Sequence, residues 1–181
     1  TGSNNAAWGA HSLGASTTGA NNSGIGWAAG SNITTGANNT CLGYYSVASA
    51  VNVSNEITLG NSSISALRCN DQSIAALSDA RDKTDVVDLP HGLDFINQTR
   101  PVRFKWDKRE YLSDDTKQGT TNYGFIAQEL LAIGDNEEHR LVYESNPEKL
   151  EARYSNLIPI LTKAIQELST KNDALVARIT A

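Results

Sequence analysis

The residues whose types and spacing could do chemistry lie at one border in the chain, at Ser78, Asp79, Arg81 and Lys83. Glycine-rich repeats precede this junction, and a charged segment of mixed composition follows it. Such a border suggests a precursor that cuts its own chain there. The alternative interpretation is a solvated run of charges between two domains.

Composition narrows the classes of function. The formal net charge is −5, which argues against a nucleic-acid partner because phosphate binding needs clustered Lys and Arg. No apolar stretch approaches the roughly 18 residues that span a bilayer. The two cysteines, Cys41 and Cys69, form no disulfide framework, and neither has a partner at metal-ligand spacing. No phosphate-binding glycine loop is present. We therefore expect no metal, cofactor or membrane partner.

The first part of the chain is a repeat. The pattern Thr-Gly-x-Asn-Asn begins at Thr1, Thr18 and Thr35, a period of 17 residues. At the same period an apolar residue precedes glycine, at Trp8, Ile25, Leu42 and Leu59. A disordered linker is the alternative, but linkers do not keep such anchors in register.

Each repeat predicts short strands separated by Gly, Asn and Ser turns. One unit has too few apolar side chains for a core, so stacked units of one chain, or of three intertwined chains, must share one. The low apolar content favours the intertwined version, a slender trimeric β-helix shaft over residues 1–77. Alternating apolar residues from Ile64 to Leu77 predict that its β pattern continues to the junction.

Residues 78–153 read as a small mixed α/β domain. Helical spacing is expected over 92–97 and 126–131, and strands over 102–106 and 141–143. Pro101 favours an extended Arg100 before the first of these strands. The fold class predicted for the whole chain is therefore α+β: a trimeric β-helix shaft, then this domain, then a long C-terminal coiled-coil helix.

The C-terminal segment, residues 154–181, is predicted to be that coiled-coil helix. Its apolar seam alternates steps of three and four residues through Ile158, Leu161, Ile165, Leu168, Asn172, Leu175 and Ile179. Asn172 falls at an a position, where a polar residue costs stability but fixes register and oligomer state. Pro159 is tolerable only in the first turn of the helix. The alternative is an ordinary amphipathic helix packed on its own domain.

Several ordered motifs resemble one known family. They are Ser78-Asp79-x-Arg81-x-Lys83, Gly92-Leu93-x-Phe95-Ile96, Arg100-Pro101-Val102, Phe104-x-Trp106, Tyr123-Gly124-Phe125-Ile126-Ala127-Gln128-Glu129 and Leu157-Ile158-Pro159-Ile160-Leu161-x-Lys163-Ala164-Ile165-Gln166-Glu167-Leu168. Together they resemble the C-terminal intramolecular chaperone auto-processing domain of phage tailspikes, tail fibres and neck appendages, including the endosialidases. The repeats resemble the triple β-helix stalks of these proteins and, more weakly, trimeric adhesin heads.

The resemblance implies a homotrimeric domain whose folding client is its own N-terminal β-helix. It also implies a serine-type endopeptidase that acts once on its own chain. Ser78 would then be the essential hydroxyl, Lys83 the base and Asp79 the first residue of the released fragment, while Arg81 would position the junction. The location implied is the virion, with the precursor processed in the cytoplasm of the bacterial host.

Such chemistry sets conditions on the lysine. A lysine base must be neutral near pH 7 against a reference pKa of about 10.4, so burial on trimerisation or a neighbouring Arg81 is required. Attack by Ser78 on its own carbonyl closes a strained four-membered ring. Attack by a neighbouring subunit's Ser78, or assistance from the Asp79 carboxylate, is easier, and the sequence leaves this choice open. His91, His139 and Glu129 are auxiliary candidates, and for each histidine the alternative is a surface or packing role.

Two further functions remain open. The first is a trimeric fibre or adhesin tip that ends in a coiled coil and is never cleaved. The second is a host surface glycan bound by the mature fibre through the aromatic residues Trp8, Trp27, Tyr44 and Tyr45. The sequence favours shaft-core or groove positions for those aromatic side chains.

Overall fold

The computed structural model describes residues 2–71, 73–107, 119–134 and 136–180. The chain divides into two compact units. The first comprises residues 1–67, 104–122 and 144–150. The second comprises residues 68–103, 123–143 and 151–181.

The repeats of the first unit form a parallel stack of three-residue strands, here called the repeat stack (residues 2–60). Its strands are β1 (Ala6–Trp8), β2 (Ser23–Ile25), β3 (Thr40–Leu42) and β4 (Ile57–Leu59). They pair in chain order, and Ala6 faces Ser23, which faces Thr40, which faces Ile57. Each partner therefore lies one repeat further along the chain, which confirms the 17-residue period.

The stack is built by one chain, which differs from the intertwined shaft that the sequence favours. Its core is made of small and medium side chains, Leu13, Ala29, Ile33, Cys41, Ala48 and Val53. The same backbone hydrogen bond recurs between successive repeats, from Gly26 N to Trp8 O at 2.8 Å and from Gly43 N to Ile25 O at 2.8 Å. Because each repeat is long enough to fold back beneath the previous strand, a single chain satisfies these groups itself. A triple β-helix is not found in residues 2–67.

An asparagine ladder runs through the stack at the same period, at Asn5, Asn22, Asn39 and finally Glu56. The side chains of Asn22 and Asn39 are both 1% exposed. Asn22 Oδ1 accepts from Asn39 N and Asn39 Nδ2, each at 3.0 Å, and Asn39 Oδ1 accepts from Glu56 N at 3.0 Å. The carboxylate of Glu56 ends the ladder by accepting from Ser49 N at 2.8 Å and Ser49 Oγ at 2.6 Å. Sequence reasoning took these asparagines only as turn formers.

The turn chemistry expected of asparagine and glycine is confirmed. Left-handed φ angles of 57°, 57°, 59° and 64° occur one repeat apart, at Asn4, Asn21, Asn38 and Asn55. Gly26 has φ +128°, and a Cβ there would lie 2.5 Å from Gly43 O. Gly9 and Gly26 are thus required both for their positive φ and for the close approach of the next repeat.

The β pattern predicted from Ile64 to Leu77 is wrong for the described residues of that segment. The last strand of the stack ends at Leu59, and the described residues from 62 to 77 contain no strand and are exposed. A strand needs a neighbour to accept its hydrogen bonds, and no further repeat follows to provide one.

The rest of the chain is a mixture of helices and short strands. In chain order it contains α1 (Leu93–Ile96), β5 (Val102–Lys105), β6 (Thr121–Gly124), α2 (Ala127–Ile133), α3 (Asn136–His139), β7 (Val142–Tyr143), β8 (Glu151–Ala152) and α4 (Leu157–Thr180). β5 pairs with β6, and β7 pairs with β8 in antiparallel register. Two 3-10 turns, Ala80–Asp82 and Tyr154–Asn156, precede α1 and α4. The mixed α/β character and the long C-terminal helix are as predicted.

Packing in the second unit centres on α4. Its residues Leu157, Ile160 and Ala164 are buried, as are Phe95 of α1 and Leu130 of α2. Glu167 of α4 accepts a hydrogen bond from Leu93 N at 2.8 Å, at the start of α1. Pro159 lies in the first turn of α4, where its missing N–H costs nothing. None of the helices in the described ranges has the length and apolar character needed to cross a bilayer.

Candidate functional site

The junction is shaped by one short turn. Asp79 caps the 3-10 turn Ala80–Asp82, and its carboxylate accepts from Arg81 N at 2.9 Å. Capping by Asp is favoured because its side chain satisfies a backbone N–H that the first turn leaves free. The turn reverses the chain, so Lys83 comes back against Ser78.

Ser78 and Lys83 are in direct contact. Lys83 Nζ lies 2.6 Å from Ser78 Oγ and 3.3 Å from Ser78 O. The second oxygen is the carbonyl of the peptide bond between Ser78 and Asp79. The amine can therefore reach both the hydroxyl that would lose a proton and the carbonyl oxygen on which negative charge would develop.

The side chain of Arg81 pairs with Asp79 and not with Lys83. Its Nε and Nη2 donate to the two Asp79 carboxylate oxygens at 3.0 Å and 2.6 Å. This bidentate pair lowers the pKa of the Asp79 carboxyl and raises that of Arg81. Both carboxylate oxygens of Asp79 thus accept hydrogen bonds from Arg81, and the carboxyl group is ionised. These hydrogen bonds hold the first residue after the junction in place.

The junction is open to solvent in a single chain. Ser78, Asp79, Arg81 and Lys83 are all exposed. The neighbouring apolar side chains are exposed as well, with Ile74 at 96% and Leu77 at 101%. The described residues of one chain therefore do not supply the shelter that a lysine base requires.

The auxiliary candidates lie elsewhere in the second unit. Glu129 forms a two-bond ion pair with Arg100, through Nε at 3.1 Å and through Nη2. The pKa of Arg100 is raised by that pairing. His91 lies 3.6 Å from Glu138 and against the ring of His139. The structure brings neither His91 nor Glu129 to the Ser78 and Lys83 side chains.

The helix α4 has two apolar faces, of which sequence reasoning found one. The predicted seam residues Ile158, Leu161, Ile165, Leu168, Leu175 and Ile179 are 42% to 83% exposed, and Asn172 is exposed too. The adjacent stripe of Leu157, Ile160 and Ala164 is buried within the second unit. That stripe could have been found from its own spacing of three and four residues. Within the described part of the chain, the heptad seam stays exposed.

A similar apolar column lies on the repeat stack. Trp8, Ile25, Leu42 and Leu59 are the last residues of the four strands and follow one another in register. Their exposed fractions range from 36% to 79%. Trp27, Tyr44 and Tyr45 are exposed too, so none of the three lies in a core.

Comparison with curated proteins and with solved structures finds no match for this chain. Residues 78–139 match the family described as the chaperone of endosialidase. The match begins at the serine that contacts Lys83 and ends at the last residue of α3. The match therefore supports a C-terminal intramolecular chaperone domain that begins at Ser78.

Proposed function

We propose that residues 78–181 form a trimerising chaperone that registers three copies of the repeat stack and then releases itself by cutting between Ser78 and Asp79. The observation that carries the proposal is the contact of Lys83 Nζ with both Ser78 Oγ and the Ser78 carbonyl oxygen. It lies at the first residue of the family match. The protein would belong to a phage tail, fibre or appendage.

The cut is a hydrolysis. Lys83, as the neutral amine, takes the proton of a serine hydroxyl, whose oxygen adds to the Ser78 carbonyl carbon. The C–N bond to Asp79 then breaks, the nitrogen leaves as the new amino group with that proton, and an ester remains. Water hydrolyses the ester, which leaves a carboxylate on Ser78 and restores the hydroxyl.

The hydroxyl that attacks is best supplied by a neighbouring subunit. Attack by Ser78 on its own carbonyl closes a four-membered ring. Assistance by Asp79 is disfavoured because Arg81 holds both of its carboxylate oxygens. A neighbouring chain would also bury Lys83 and favour its neutral form. Cutting would then depend on assembly.

Two exposed apolar surfaces support trimerisation. The seam of α4 repeats as heptads with isoleucine at a and leucine at d, while the chain's own core uses the stripe beside it. The column from Trp8 to Leu59 is equally without cover in one chain. If three chains came together, apolar area on each surface would be removed from contact with water.

A chaperone solves a problem that the repeats create. Because the same hydrogen bond recurs at every repeat, neighbouring chains displaced by 17 residues would still find matching surfaces. A C-terminal trimer that joins three stacks at one point raises their effective concentration in one register. Its removal would leave the assembled stack kinetically trapped. Equal unfolding rates for cleaved and uncleaved stacks would disprove that last step.

The test is the denatured mass of the 181-residue chain after folding. Cutting predicts two fragments, residues 1–78 and 79–181, and both vanish in Ser78→Ala and Lys83→Ala. Ser73→Ala and Lys105→Ala are matched controls at exposed positions and should cut normally. An intact wild-type chain under folding conditions would overturn the protease and favour the non-cleaving fibre tip.

One observation favours a second function, the binding of a neutral glycan by the stack. Trp27 and Tyr44 stack at 5.2 Å with 16° between their planes, and Tyr45 lies 6.0 Å from Trp27. Residues 1–55 contain no Asp, Glu, Lys or Arg. An uncharged surface of hydroxyls, amides and aromatic rings suits a neutral sugar. Trp27→Ala should abolish binding to a neutral glycan array, and unchanged binding would exclude this site.

A further inference from the structure

We propose a second site in the same domain, a binding site for a divalent transition-metal ion of the zinc class. Its ligands are His91, Glu138 and His139. Sequence reasoning predicted no metal, because it treated these residues separately. His91 lies just before α1, whereas Glu138 and His139 end α3, so only the fold of the second unit brings them together.

The distances suit one ion. One ligand atom from each of the three side chains lies within 4.8 Å of the other two. His91 Nε2 and Glu138 Oε1 are 3.6 Å apart, and the two imidazole rings meet edge to face at 4.6 Å. Ligands about 2.0–2.1 Å from a tetrahedral Zn²⁺ lie about 3.4 Å from one another, so small side-chain rotations close the site.

The donor set selects the class of ion. Two imidazoles and one carboxylate are ligands for Zn²⁺, Co²⁺ or Ni²⁺. Mg²⁺ and Ca²⁺ demand six or more oxygen ligands, which the cluster does not offer. Three protein ligands leave one tetrahedral position open, and the side chain of Glu138 is 58% exposed. Water can therefore complete the coordination.

The two imidazoles are held by packing. Phe95, which is 5% exposed, contacts His91 at 5.6 Å and His139 at 4.8 Å between ring centroids. A Cβ on Gly134 would lie 3.3 Å from His139 Nε2, so the ring rests closely over that glycine. Among the described residues no hydrogen bond occupies a ring nitrogen of His139, and the ion-pair partner of His91 is Glu138. The ring nitrogens are thus positioned but not otherwise used.

Metal binding would tie the start of α1 to the end of α3. An ion that binds only the folded domain stabilises it by mass action. The site is independent of the self-cleavage proposal, since none of its ligands contacts Ser78 or Lys83. Testing wild type beside Ser78→Ala makes the result independent of whether the junction is cut.

The experiment is a Co²⁺ titration of the 181-residue chain, followed by Zn²⁺ displacement. Tetrahedral Co²⁺ gives visible absorption bands, and we expect saturation at one ion per chain and loss of the bands on adding Zn²⁺. His91→Ala and His139→Ala should each weaken binding by about a hundredfold or more, because even residues behind metal ligands are worth 10–100-fold. Glu138→Gln should weaken it by about tenfold.

Two controls make the outcome decisive. His11→Ala removes the remaining histidine, which lies in the repeat stack, and should leave the titration unchanged. Excess Mg²⁺ should not displace Co²⁺. If His139→Ala fails to fold, His91→Ala carries the test, since His91 is already one-third exposed. Absence of the visible bands, or bands that persist in His91→Ala, would overturn the site and leave a packed aromatic cluster.

Discussion

The repeat stack and the junction differ in how their polar groups are satisfied. In the stack, strands, turns and buried asparagines bond to the repeat 17 residues away, so every layer supports the next. At the junction the described hydrogen bonds join residues two to five positions apart, and the side chains are exposed. The stack therefore holds a fixed register, while the junction stays accessible to chemistry and to other chains.

The helix α4 repeats this contrast within one element. Its buried stripe fastens the helix to its own unit, and its exposed heptad seam remains available. The difference teaches that an apolar pattern can serve either the chain's own core or an assembly. Burial in the single chain tells the two apart.

The largest effect is expected at the junction. Lys83→Ala should lower the rate of self-cleavage by about 10³-fold or more, since base and nucleophile act as a unit. Lys83→Arg should not restore it, because a guanidinium stays protonated at neutral pH. The rate is measured from fragment masses over time. The secondary-structure content of the stack should be unchanged in both variants, and restored cleavage in Lys83→Arg would show that the base lies elsewhere.

The two faces of α4 can be separated by one kind of substitution. Ile160→Ala should destabilise the second unit by about 2–5 kcal/mol, because it leaves a cavity beneath the helix. Ile165→Ala, the same change on the exposed seam, should alter single-chain stability by less than about 0.5 kcal/mol and instead weaken trimer formation. Denaturant unfolding and sedimentation distinguish them. Equal losses of stability would mean that the seam is not a separate surface.

The asparagine ladder should contribute to the stability of the repeat stack. Asn39→Ala removes the acceptor of Glu56 N and the donor to Val53 O, the latter at 2.7 Å. Leaving such buried groups unsatisfied should cost about 2–3 kcal/mol in the free energy of unfolding. Asn52→Ala, an exposed control, should cost less than about 0.5 kcal/mol. Similar denaturation midpoints for the two variants would contradict the role of the ladder.

The smallest effect concerns Arg81. Arg81→Ala should slow cleavage by about tenfold or less, because the residue positions the junction without reacting. It should also let the pKa of the Asp79 carboxyl rise towards its ordinary value of 3.8. Carboxyl carbon shifts in a pH titration measure this change. In the wild type the ion pair is complete above that value and is lost as the pH falls through the lower, folded pKa. An unchanged Asp79 titration would show that the pair does not form in solution.

Much of the local structure could be predicted from the sequence. The 17-residue period, the left-handed asparagines, strand β5 and the C-terminal helix follow from spacing and turn chemistry, because these depend on neighbouring residues. The pairing of Ser78 with Lys83 was expected from the family resemblance, and one capped turn brings the two side chains into contact. The strand predicted over residues 64–77 does not form in the described part of that segment, because pairing with a neighbouring strand decides whether a strand forms, and alternation of apolar and polar residues does not.

The sequence by itself determined the repeat, the chemistry available at the junction and the two apolar stripes of α4. Only the tertiary structure decided which of those stripes is buried, and that the stack closes its core within one chain. It also decided that Glu129 pairs with Arg100 and that the ring of His91 contacts the ring of His139. The physical reason is that hydrogen bonds between residues close in sequence depend on the local residues alone. Burial and ligand clusters depend instead on distant segments that only packing brings together.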